Sequence, residues 1–225
     1  MLISAITPAS RGVRELSQLL RDFRNQTLIP SMFEHIIVYD GEPSKDVLEL
    51  IKTKKNSNTV FVSLKKDSGN MKIAPGTRPR NYGISIARGS LCCFCDDDDR
   101  YSDKYLESLC WGIRDNMIGV VQMSCSEDRM MKNGDPTRIR LVPEAGLPYF
   151  PIICHVGTPC FCLPTSWARE NPWQHEPEHD YRFIKRIIEK YKPQIRFTGG
   201  MCVDVDSKVV GSLRDWVSKP PFYRE

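Results

Sequence analysis

The chain has 225 residues, of which 40% are hydrophobic and 27% charged, with a formal net charge of +4. That length supports one sizeable core, and that composition is ordinary for a globular protein rather than a disordered, fibrous or disulfide-stapled one. No apolar run reaches the length of a membrane span, so none is expected. The scattered Lys and Arg residues give little support to nucleic-acid binding.

The first residues, Met1 to Pro8, lack a basic leader and a long apolar stretch and read as a strand, Ile3 to Ile6, rather than a signal peptide. Val13, Leu16, Leu19, Leu20 and Phe23 recur at helical spacing and predict a helix over 13–24. His35 to Tyr39 reads as a second strand ending at Asp40-Gly41. Ser44 is placed to cap a helix through Val47, Leu48 and Ile51, and Thr59 to Ser63 is a third strand. A polar loop from Lys65 to Arg80 leads to a helix over Asn81 to Arg88, with Gly89 as its stop. Leu91 to Cys95 is then an apolar strand that runs straight into Asp96-Asp97-Asp98-Asp99.

The second half is less regular. Tyr105 to Ile113 reads as a helix, Gly119 to Ser124 as a strand, and Asp128 to Pro148 as loop. Phe161 to Leu163 is a short strand followed by a turn from Trp167 to Trp173. Tyr181 to Tyr191 is a strong helix, Gln194 to Val205 a final strand region, and the rest a tail. Alternating strands and helices predict an α/β fold with a mostly parallel, doubly wound central sheet. Ligands of such sheets bind beyond the C-terminal strand ends, where Asp40 and Asp96 to Asp99 all fall.

Four adjacent acids repel one another, and a hard divalent cation is a physical reason to gather them. A solvated acidic turn is the alternative. The nine cysteines form no CxxC pair; Cys92, Cys93 and Cys95 share one apolar strand and read as small buried hydrophobes. Cys154, Cys160 and Cys162 with His155 have poor spacing for zinc. The odd count and the missing leader point to a reducing compartment, hence the cytoplasm.

The ordered set Thr7-Pro8, Asp40-Gly41-Glu42-Pro43-Ser44, Arg80-Asn81-Tyr82-Gly83 through Gly89, and Asp96-Asp97-Asp98-Asp99 resembles the GT-A glycosyltransferases of family 2, with their Asp-Gly-Ser, Arg-Asn-x-Gly and Asp-x-Asp motifs. The likeness covers about the first 110 residues. Further on, His179-Asp180 resembles the family's Glu-Asp pair, with His179 in the place of Glu.

That resemblance implies a single Rossmann-like GT-A domain over 1–225. A nucleotide-sugar half would take about 1–100, an acceptor half about 101–210, and a tail 211–225. It implies sugar transfer, with inversion, from a nucleotide-diphosphate donor, UDP by family habit, to a glycan, lipid-linked or other hydroxyl acceptor. Thr7, Pro8, Asp40, Arg80, Asn81, Asp96, Asp97 and Asp98 would surround the donor. Asp98 and Asp96 would hold Mn2+ or Mg2+, and Asp180 would be the catalytic base. His155, Trp173 and His179, with Trp167 and His175 nearby, would lie on the acceptor side. The residues alone leave other readings open: Asp-Gly is a common turn, Arg80 lies in a basic stretch, and Asp is a frequent helix cap. A nucleotidyltransferase using Ala9-Ser10-Arg11-Gly12, or a non-catalytic nucleotide-sugar-binding module, are the alternatives.

Overall fold

The computed structural model describes residues 1–65, 74–126, 139–143, 151 and 156–204. His155, Cys154 and the segment from 205 onward lie outside the described residues. Along the chain run β1 (Ile3–Ala9), α1 (Val13–Arg24), β2 (Phe33–Asp40), α2 (Lys45–Lys54), β3 (Thr59–Leu64), α3 (Thr77–Ile86), β4 (Leu91–Phe94), β5 (Arg100–Tyr101), α4 (Tyr105–Cys110), β6 (Met117–Ser126), β7 (Ile139–Val142), β8 (Phe161–Pro164), α5 (Thr165–Glu170), α6 (His179–Tyr191) and β9 (Gln194–Asp204).

The strands form one sheet in the order β3-β2-β1-β4-β8-β6-β9-β5, with β7 added against β6. β3, β2, β1 and β4 are mutually parallel. β8 is antiparallel to both β4 and β6, while β9 is parallel to β6 and antiparallel to β5. The sheet is therefore mostly parallel in strand direction, with β5, β7 and β8 reversed. Every residue of β1 is buried, as its position between two parallel neighbours requires.

Local chemistry explains most boundaries. The α1 periodicity buries Leu16, Leu19, Leu20 and Phe23. Ser44 caps α2 by accepting from the Val47 N–H at 3.3 Å. α3 begins four residues before the start anticipated at Asn81, because Pro79 falls in its first turn, where a missing N–H leaves nothing unpaired. Gly89 is not the stop of this helix, which ends at Ile86. It lies against β1 so closely that a Cβ would sit 2.7 Å from the Ser4 backbone nitrogen, and its N–H donates to Ser4 Oγ at 2.9 Å. Three short elements were not anticipated: β5, directly after the four acids, β7, inside the stretch read as loop, and α5, inside the stretch read as a turn.

The eight cysteines among the described residues are free and buried, and burial pushes the Cys92 and Cys160 thiols well up, as expected of small core residues. No helix among the described residues is long and apolar enough to cross a membrane.

His35 on β2 is fully buried. Its ring stacks on Phe23 at 3.9 Å, and its Nε2 lies 3.0 Å from Thr7 Oγ1. Burial pushes its pKa down to about 3. The unfolded chain takes this proton near the ordinary value of 6.5, so between pH 6.5 and 3 the unfolded state binds more protons. The neutral ring's contribution is therefore complete above pH 6.5 and is lost as pH falls toward 3. Urea titrations from pH 7 to 4 should show stability falling by up to about 1.4 kcal/mol per pH unit from this site. His35→Leu should flatten that slope, and an unchanged slope would remove His35 as its source.

Candidate active site

The C-terminal ends of β1, β2 and β4 open into one cavity of about 530 Å³. Pro8, Ala9, Ser10 and Arg11 come from the end of β1 and the loop after it. Asp40 ends β2, and Asp96, Asp97 and Asp98 follow β4. Gly76 immediately precedes α3 and Arg80 lies within it, while Thr158, His179 and Asp180 come from the second half. The sheet thus gathers acids that lie far apart in sequence.

The four consecutive acids have different surroundings. Asp97 is 6% exposed, and its Oδ2 accepts the backbone N–H groups of Ser10 and Arg11, each at 2.9 Å. Burial, with smaller contributions from the charges of Asp98 and Asp96, pushes its pKa up to about 6 against the pull of those two hydrogen bonds. Asp97 therefore ties the β1–α1 loop to the end of β4. Asp99 is buried as well. Asp96 and Asp98 are more open: Asp96 pairs with Arg80 at 2.6 Å, and Asp98 with the exposed Arg11 at 2.8 Å.

Arg80 is the hub of the cavity wall. Its side chain is nearly fully buried and donates to Asp96 Oδ1 at 2.6 Å, to the Pro75 carbonyl at 3.0 Å and to Thr158 Oγ1 at 3.4 Å. Its guanidinium carbon stands 4.9 Å from the centre of the Trp173 ring. Gly76, at φ +81°, lets the arginine pass, since a Cβ there would approach the guanidinium to 2.9 Å. Among the described residues the buried Arg80 Nε–H has no partner.

Asp180 stands in the first turn of α6. The residue before the helix, Glu178, makes no side-chain cap, and Asp180 is engaged by Thr158 instead, which donates to its Oδ1 at 2.6 Å. His179 Nε2 lies 3.1 Å from the same oxygen. Asp40 is mostly covered, with Arg78 Nη1 at 3.8 Å.

Three residues expected at the site do not line the cavity. Thr7 is fully buried, with its hydroxyl on His35. Asn81 is committed to the Trp173 backbone, donating to its carbonyl and accepting its N–H, both at 2.9 Å. Trp173 is 2% exposed and stacks on Phe183 at 4.0 Å, so it is a packing residue and offers no open ring face to an acceptor. Trp167 stacks on Tyr191 at 4.4 Å, and His175 is exposed away from the cavity. Among the described residues no group of three or more His, Cys, Asp or Glu forms a ready cage for a metal ion, zinc included. Sequence reasoning did not single out Thr158 for the site. Its only signal was Gly157-Thr158-Pro159, a turn ahead of a strand.

A mostly parallel sheet, a cleft at its C-terminal strand ends, carboxylates at the mouth and a buried arginine behind them make an α/β fold with its candidate site where such sheets bind ligands. The chain belongs to glycosyl transferase family 2, whose profile it matches over residues 4–172. It is 31% identical over 108 residues, 48% of the chain, to the poly(ribitol-phosphate) beta-N-acetylglucosaminyltransferase TarP of Staphylococcus aureus. It is 36% identical over 101 residues, 44% of the chain, to a poly(ribitol-phosphate) beta-glucosyltransferase of Bacillus spizizenii. The chain spans only 31% and 15% of the lengths of these relatives. In fold it is similar to S. aureus TarS 1-349 in complex with UDP, with a TM-score of 0.65 at 17% identity, covering 91% of this chain and 60% of that one. The mannosyltransferase PcManGT of Pyrobaculum calidifontis, solved with GDP-Man and Mn2+, gives 0.63 at 12% identity, covering 92% and 58%.

The unequal acids make a direct prediction. Asp97→Ala should destabilise the fold by about 1–3 kcal/mol, because two backbone donors lose their acceptor. Asp98→Ala should shift stability by less than about 1 kcal/mol, as for other exposed ion pairs. Denaturant midpoints of the two variants that coincide would contradict this division.

Proposed function

We propose that this chain transfers a sugar from a nucleoside-diphosphate donor, UDP-linked in the first instance, to an acceptor hydroxyl with inversion at the anomeric carbon. The observation that carries this reading is the joining of Asp96, Arg80, Thr158 and Asp180 in one hydrogen-bonded chain across the cavity. The structures of TarS with UDP support the choice of base, and the named substrate of TarP makes a polyol-phosphate hydroxyl the first acceptor to test. Within one domain, residues 1–100 would hold the donor and the following half the acceptor. The buried free thiols fit a cytoplasmic protein.

In this mechanism Asp180 accepts the proton of the acceptor hydroxyl as its oxygen attacks the anomeric carbon. The bond from that carbon to the donor diphosphate breaks, and the electron pair leaves with the diphosphate. Arg80, a donor-only cation in a water-poor wall, offsets the charge that develops there. Asp40 accepts an N–H of the base. The open carboxylates Asp98 and Asp96 are hard oxygen donors on the cavity wall and fit Mn2+ or Mg2+, which commonly binds through one or two carboxylates and the substrate's phosphates. A bound cation would supply further positive charge to the leaving diphosphate. His179 stands beside Asp180 on the acceptor side.

The test is release of nucleoside diphosphate from a panel of UDP- and GDP-sugars with Mn2+, with and without polyol-phosphate oligomers. EDTA should reduce turnover at least tenfold and Mn2+ restore it. Asp180→Asn should lower the transfer rate by about 10²–10⁴ while leaving donor binding intact. Pyrophosphate release from nucleoside triphosphates would favour a nucleotidyltransferase instead. Ligand-induced stabilisation with neither product would leave a binding module.

A further inference from the structure

We infer that Thr158 is a positioning residue that orients the Asp180 carboxylate; the inference rests on Asp180 acting as the base. The argument begins with what each partner is able to do. A guanidinium is only a donor, so the Arg80 Nη2–H at 3.4 Å must give its proton to the Thr158 oxygen. A hydroxyl has one proton of its own, and that proton is left for Asp180 Oδ1 at 2.6 Å. Arg80 thus sets the polarity of the Thr158 hydroxyl, whose own proton points at the carboxylate.

The contact also selects an oxygen. Thr158 and His179 both meet Oδ1, at 2.6 and 3.1 Å, which leaves Oδ2 to receive the acceptor's proton. The charged and titratable groups around Asp180 are His179 on its own helix, Arg80 of α3 through Thr158, and the Cys160 thiol of the turn before β8, which feels the Asp180 charge and is pushed up chiefly by its own burial.

Thr158 is held rigidly enough for this role. It is 2% exposed and sits in a one-turn 3-10 helix, Thr158–Cys160. Cys160 N–H closes that turn onto the Gly157 carbonyl at 3.1 Å, and the fully buried Tyr105 hydroxyl donates to the Pro159 carbonyl at 3.0 Å. A hydroxyl fixed by packing and hydrogen bonds orients a reactive group better than one on a mobile loop.

The experiment compares Thr158→Val, Thr158→Ala and Thr158→Ser with Asp180→Asn, using the full chain, donor, Mn2+ and acceptor. Loss of the hydroxyl should lower kcat roughly tenfold to a hundredfold, the range for losing a hydrogen bond to a charged group. KM for the donor should change by less than about twofold, because the lost contact serves the reacting carboxylate rather than ground-state binding. Thr158→Ser should restore kcat, and thermal melting with donor titration establishes that the variants fold and bind. If Asp180→Asn abolishes transfer but the folded Val or Ala variants keep the parent kcat, the positioning role is overturned on its own. A loss of kcat that Thr158→Ser does not rescue overturns it likewise. If Asp180→Asn transfers sugar at the parent rate, it is the base assignment that falls.

Discussion

The pairing of Arg80 with Asp96 is the interaction on which the rest of the cavity depends. A guanidinium at 3% exposure needs a charge partner and nearby acceptors, because an unpaired buried charge is costly. Asp96 supplies the charge, and the Pro75 carbonyl and the Thr158 hydroxyl supply the acceptors. Trp173 supplies a ring at cation–π distance. Each of these commits another element. Asp96 fixes the end of β4, Thr158 the turn before β8, and Trp173 the segment between α5 and α6. The arginine is thereby a structural tie and, in the proposed mechanism, the preorganised charge beside the leaving group.

The packing beneath this tie explains why residues that seemed suited to ligand contact are spent on support. Trp173 meets Phe94 edge-on at 5.0 Å and stacks on Phe183 at 4.0 Å, so its ring completes a core shared by β4, β8 and α6. Asn81, one residue beyond Arg80, makes two hydrogen bonds to the Trp173 backbone and holds that ring segment in place. Asn81 therefore acts on the cavity through Trp173 and Arg80 rather than by lining it. Asp97 has a similar position. Its buried carboxylate, with pKa pushed up to about 6 by burial, fastens the loop that carries Ser10 and Arg11.

The first half of the chain was legible because its signals are local. Apolar runs that stop at Asp40 and at Asp96 carry the register of β2 and β4, and Ser44 and the α1 periodicity carry the helices. The order of the motifs then placed the acids on one side of the sheet. What was not legible depends on contacts between distant segments. Nothing local in Trp173 distinguishes a sugar platform from a ring buried on Phe183. Gly89 carries no mark of its approach to Ser4. β5, a two-residue strand, exists only because β9 lies beside it. The contrast between Asp97 and Asp98 has the same origin, since it depends on where the β1–α1 loop returns.

Topology explains how the second half reaches the acids of the first half at all. β8 runs antiparallel to β4, with Leu91 opposite Pro164 and Cys93 opposite Cys162. The residues that lead into β8 therefore stand next to the residues that leave β4, which brings Thr158 beside Asp96. A parallel β8 would have put Thr158 at the opposite end of the sheet, more than a strand length from the acids. α6 then packs Phe183 against Phe94 and Phe161, at 5.6 and 6.0 Å, and this fixes its first turn over the same edge. The reversed strand is thus what allows Asp180, 84 positions beyond Asp96 in this numbering, to share a cavity with it. Arg80 and Thr158 close the remaining gap. The single departure from parallel order next to β4 is what unites the two halves of the proposed site.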